Sequence, residues 1–145
     1  MRLRMTLLSV FAVMATLPSA APARTTVTPK AGNYFGPSVL PGGRVFPPGE
    51  VGLSFIVLAG GTSIKAHAQV LAIPCGTNAF IDKKVPIRNG SFTFTGRGPV
   101  VHGGSGSITW TGKWSSATSV SGTAQVKTAT CDSGLIRWRA KWHAP

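Results

Sequence analysis

Hydrophobic and polar residues alternate along much of the chain beyond residue 50, the period-two pattern of strands with one face in a core. Val51, Leu53, Phe55 and Val57 alternate with Gly52, Ser54, Ile56 and Leu58, which reads as a central strand apolar on both faces. Residues 63–73 put Ile64, Ala66, Ala68, Val70 and Ala72 on one side and Lys65, His67 and Gln69 on the other, ending at Pro74. Residues 91–95 turn Phe92 and Phe94 inward. Residues 107–114 place Ile108, Trp110, Gly112 and Trp114 opposite Thr109, Thr111 and Lys113. Val120, Gly122, Ala124 and Val126 repeat the arrangement. Across residues 134–142, Ile136, Trp138, Ala140 and Trp142 face away from Leu135, Arg137, Arg139 and Lys141.

Turn chemistry separates these segments. Ala59-Gly-Gly-Thr62 is a hairpin turn candidate, and Asn89-Gly90 is the pair favoured where both central residues need positive φ. Residues 37–50 hold four prolines and three glycines and read as a long loop or edge segment; residues 96–106 read as a glycine-rich loop. Residues 32–36 make a first strand and residues 80–88 a short irregular one. No window beyond the N-terminal segment sustains a 3.6-residue period. Seven to nine short strands therefore predict an all-β fold, an antiparallel β-sandwich or alternatively a small closed β-barrel.

The N-terminus adds a compartment. Arg2 and Arg4 precede an apolar run from Met5 to Leu17, and Ala21-Pro-Ala23 fits the small-residue rule for signal cleavage. The run has about 13 residues where spanning a bilayer needs about 20. The expected organisation is a signal peptide over 1–23, a flexible lead over 24–30 and a single β domain over 31–145, exported to the periplasm or secreted. No later stretch of the mature chain is apolar enough for a transmembrane segment. In an exported protein the two cysteines, Cys75 and Cys131, are expected to form a disulfide, worth about 4 kcal/mol by the chain-entropy account.

Charge narrows the chemistry further. The chain carries 15 Lys and Arg against 3 Asp and Glu. Losing Arg2 and Arg4 with the signal leaves 13 basic residues and a net charge of +10. Glu50, Asp82 and Asp132 are the only acids, too few for a carboxylate cage around Ca²⁺ or Mg²⁺, and so small a number argues against a catalytic carboxylate pair.

The C-terminal third carries a run of motifs: Gly106-Ser-Ile-Thr-Trp-Thr-Gly-Lys-Trp114, Val120-Ser-Gly-Thr-Ala124, Cys131-Asp-Ser-Gly134 and Trp138-Arg-Ala140. This resembles small exported bacterial β-proteins of unknown function that end in an S-G-T, C-x-[ST]-G-x₃-W-x-A pattern. The resemblance implies a β fold, export and a bridge between the two cysteines, and it brings no catalytic residue.

Candidate chemistry is sparse. His67, His102 and His143 stand at unrelated spacings, so no metal site and no cofactor is expected. His102, in a glycine-rich stretch, is the best position for a small hydrolase, but no nucleophile elbow accompanies it. Arg137, Arg139 and Lys141 recur at i, i+2 and i+4, which a strand displays as a row about 13 Å long. Lys113 and Lys127 take outward positions on two neighbouring candidate strands and would widen it. The same charges also serve as an ordinary solvated face that blocks edge pairing. The leading expectation is a non-enzymatic domain binding an anionic polysaccharide or other envelope polymer; export argues against nucleic acid as the physiological partner. The alternative is a structural or protein-interaction domain, inhibitor-like, presenting residues 37–50 to a protein partner. Trp110, Trp114, Trp138 and Trp142 share inward parity and are read as core, with Trp114 and Trp142 the ones to suspect if they reach the rim.

Overall fold

The computed structural model describes residues 26–43, 45–46, 53–65, 68–73, 77–100 and 104–144. Twelve strands lie among them: β1 (Gly32–Gly36), β2 (Ser38–Val39), β3 (Val45–Phe46), β4 (Leu53–Val57), β5 (Ser63–Ile64), β6 (Ala68–Ile73), β7 (Thr77–Ile81), β8 (Val85–Pro86), β9 (Ser91–Pro99), β10 (Ser105–Ser116), β11 (Ser119–Lys127) and β12 (Ile136–His143). Every pairing is antiparallel. The expected signal over 1–23, with Cys75, Glu50, His67 and His102, lies outside the described residues.

Eight strands make a wall in the order β7-β6-β4-β1-β12-β11-β10-β9, so each of the eight pairs with its neighbour in the chain and the last pairs with the first. The bridge between Ala79 and Val100 joins the two ends of this path, and the sheet is a nearly closed barrel. Of the two closures the sequence allows, this is the barrel. Gly98 sits at the seam, where a Cβ would run into Phe80 O and Ile108 Cδ1. That close approach explains why strand β9 continues to Pro99 through glycines that read as loop.

An eight-stranded barrel has an interior just wide enough for side chains to fill. Here aromatic rings fill it. Tyr34 stacks on Phe55 at 5.3 Å, and Phe92 meets Trp110 edge-on at 4.4 Å. Trp110, Trp114 and Trp138 are all buried. Small residues face the large ones: Gly112 pairs with Gly122, and a Cβ on Gly112 would overlap the rings of Phe92 and Trp138. Among the described residues indole Nε1 of Trp110 and Trp138 has no hydrogen-bond partner, and Phe55 packs edge-to-face on both rings.

Two expected strands differ. The strand over residues 63–73 is divided into β5 and β6: β5 pairs with β4 at Val57–Ile64 and on its other side with β8, while β6 rejoins the wall at Ser54–Gln69. β4 buries one face rather than two, with Leu53, Phe55 and Val57 inside and Ile56 38% exposed, because a barrel wall has only one apolar side. Asn89 and Gly90 take φ of 50° and 65° in a two-residue hairpin closed by reciprocal Arg88–Ser91 bonds, as their sequence requires.

Where a loose lead is expected, Val27 to Ala31 make specific contacts across one end of the barrel. Val27 packs on the core and Pro29 is buried. Lys30 N donates to Ala117 O at 2.8 Å, and the Tyr34 hydroxyl lies 2.9 Å from Lys30 O and 2.8 Å from Ala117 O. This strap passes beside Gly61 and Gly90, whose missing side chains leave room for the carbonyls of Pro29 and Val27.

Candidate functional site

The interior offers packing, so the chemistry stands outside. Strand β12 alternates in burial, with Ile136, Trp138 and Ala140 in the core and Arg137, Arg139 and Lys141 exposed. Register ties these cations to their neighbours: Arg137 stands beside Thr123, Arg139 beside Ser121 and Lys141 beside Ser119 on β11. Lys113 on β10 also pairs with Ser121, so Lys113, Ser121 and Arg139 form one row across three strands. The two charges are then about 10 Å apart across the sheet, and Arg137 and Arg139 about 7 Å apart along it. No ion pair engages Arg137, Arg139 or Lys141 among the described residues.

Lys127 does not extend this grid. It pairs with Ser107 and bonds Asp132 Oδ2 at 2.9 Å, at the far end of β11 from Arg139. The Asp132 carboxyl is held down to about 2 by the Lys127 ammonium, the Gly134 N–H and the Gln125 amide. Its Oδ1 accepts from Gly134 N at 2.9 Å, the turn that Asp132-Ser-Gly134 spells out. Lys127 is therefore a structural cation matched by its own carboxylate.

Two depressions flank Arg139. One, of about 580 Å³, is lined by Phe35, Pro37, Ser119, Ser121, Arg139 and Lys141 among others. The second, of about 480 Å³, adjoins Pro37, Val39, Thr123, Arg137 and Arg139. They share Pro37, Ser121 and Arg139, so they follow one another along the outside of β12. Their common wall is the passage from β1 to β2, both of which pair with β12.

At the C-terminal end of the row Phe35 is 43% exposed and stacks on His143, ring centroids 3.5 Å apart and 12° from parallel. Sequence reasoning missed this pair. Phe35 follows the core residue Tyr34 and must point outward, but only the pairing of the first strand with the last brings it to His143. Trp142, expected in the core, is only partly buried and reaches the rim, yet its surface is taken: Nε1 donates to Ala31 O at 2.9 Å and Lys30 Nζ lies 3.4 Å over the ring. Trp114 is in the core.

Among the described residues no group of three or more His, Cys, Asp or Glu stands together to hold a metal ion, and no helix is long and apolar enough to cross a membrane. No cysteine among them is a free thiol. Burial pushes the Tyr34 phenol above its ordinary value, consistent with a hydroxyl that donates to backbone and does not ionise. Comparison with known proteins returned no matching family model, curated protein or solved structure.

Proposed function

We propose that the protein is a non-enzymatic binding domain that holds an anionic polymer along the outside of β10, β11 and β12. The observation that carries this reading is the grid of Lys113, Arg137, Arg139 and Lys141, exposed beside two consecutive depressions and free of ion pairs among the described residues. A polyanion laid along β12 meets a cation about every 7 Å, with serine and threonine hydroxyls between strands. The partner is an anionic polysaccharide or envelope polymer met outside the cytoplasm, the protein being exported after cleavage following Ala23 and stapled by Cys75–Cys131.

The test is binding of the oxidised protein to a panel of envelope polymers across a salt series. Saturable binding to one polymer that persists at about 0.3 M salt, where screening shortens to roughly 6 Å, supports a shaped site. Reversal of Arg137, Arg139 and Lys141 to Glu abolishes it. Weak binding to every polyanion, lost together as salt rises, refutes the proposal. A second reading has one observation in its favour. Val45 and Leu135 are each 56% exposed near Arg137, around the β2–β3 hairpin within the segment expected to face a protein partner. Under that reading an inhibitor-like domain would tolerate the charge reversals and lose its partner when Val45 becomes Asp.

A further inference from the structure

We infer that the depression between β1 and β12 is a subsite for a uronic acid residue of an acidic polysaccharide, an inference that rests on the polymer-binding reading above and names the chemistry of its ligand. The depression holds three kinds of group in a volume of about 580 Å³, within the range usual for small-molecule sites. Arg139 and Lys141 supply charge, and the planar guanidinium suits a carboxylate held by two parallel hydrogen bonds. Ser119 and Ser121, each both donor and acceptor, supply the complement to sugar hydroxyls. The third is the stacked pair of Phe35 and His143, a flat apolar wall on a barrel exterior.

That wall decides between ligand classes. A polymer that carries only charge, such as polyphosphate, uses Arg139 and Lys141 and gains nothing from an aromatic plane. A pyranose ring has a face of C–H groups that packs on an aromatic ring while its hydroxyls and carboxylate point to the rim. The arrangement in the depression matches this division, with rings at one end, cations along β12 and hydroxyls along β11. Arg139 also lines the second depression, so one residue of the chain bound here would be followed by the next toward Arg137.

The experiment compares three probes on the oxidised protein at constant salt: oligogalacturonate, inorganic polyphosphate and oligothymidylate. Phe35→Ala and His143→Ala are each expected to weaken oligogalacturonate about tenfold and to leave polyphosphate within about twofold. Arg139→Gln is expected to weaken both. Phe35 and His143 lie outside the barrel, and near-UV circular dichroism of the core tryptophans confirms that each variant is folded. If oligogalacturonate and polyphosphate bind alike and neither aromatic substitution matters, the subsite is overturned and the basic row alone remains. If oligothymidylate is preferred and depends on Phe35, the platform stacks bases and the sugar assignment is overturned. If no probe binds saturably, the polymer-binding reading itself fails.

Discussion

Replacing Arg137, Arg139 and Lys141 together by Gln should change the salt dependence of polymer binding by an amount the structure sets. All three are exposed and make no ion pair among the described residues, so each substitution should alter stability by no more than about 0.5 kcal/mol. Each cation that neutralises a polymer charge contributes about 0.7 to 0.9 to the slope of log K against log salt. Lys113, Arg137, Arg139 and Lys141 in contact give a slope of about −3, a loss of about sixtyfold in affinity between 50 and 200 mM salt. With Lys113 alone the slope should fall to about −0.8. Two controls separate a site from bulk charge. Lys127→Gln removes a cation already matched by Asp132 at 2.9 Å, and Lys84→Gln removes an exposed one on the loop between β7 and β8. Fluorescence titration at five salt concentrations reads every slope. If Lys127→Gln or Lys84→Gln flattens the slope as much as Arg139→Gln does, binding follows net charge and the row has no special role.

Other consequences concern the scaffold. Gly122→Ala sets a Cβ against Thr111 O and Gly112 Cα, backbone atoms that cannot rotate away, and should cost about 1–3 kcal/mol, read as a lower urea midpoint; an unchanged midpoint would refute the close packing of β10 on β11. Tyr34→Phe removes the donor shared by Lys30 O and Ala117 O and should cost about 1–3 kcal/mol, with faster hydrogen exchange at the Lys30 amide. Because the folded Asp132 carboxyl is depressed from 3.8 to about 2, its contribution is complete above about pH 4 and fades as pH falls towards 2. Thermal melts of Asp132→Asn should lose that part of the acid sensitivity, and a variant as acid-sensitive as the parent would show that the Lys127 pair is unimportant.

Local chemistry explains which parts of this fold could be read in advance. β10, β11 and β12 alternate over most of their length because one side of each faces aromatic core and the other faces water, so Trp110, Val126 and Trp138 declare their parity without help from the rest of the chain. Asn89-Gly90 and Asp132-Ser-Gly134 are equally local, since each satisfies its turn with its own backbone and side chain. Gly96 and Gly98 misled because a glycine chosen for a close approach is indistinguishable in sequence from one chosen for a bend. Ile56 misled because an isolated exposed apolar residue breaks the alternation that marks a one-sided strand. The cation row was visible in β12 alone, but the membership of Lys113 and the exclusion of Lys127 depend on register and on Asp132, both long-range facts.

The depressions beside β12 follow from how the barrel closes. β1 pairs with β12 at Phe35–Lys141 and β2 at Val39–Arg137, in one antiparallel register that is interrupted only at Pro37, which has no N–H to give the ladder. Across that break Arg139 N donates to Pro37 O at 3.3 Å, while a Cβ on Gly36 would strike Arg139 O. Arg139 thus stands opposite the break between β1 and β2, and its side chain lines the depressions on both sides. Closure by the first strand onto the last therefore does two things at once. It seals an aromatic core that leaves Trp110 fully buried, and it raises a wall beside the most basic strand of the molecule.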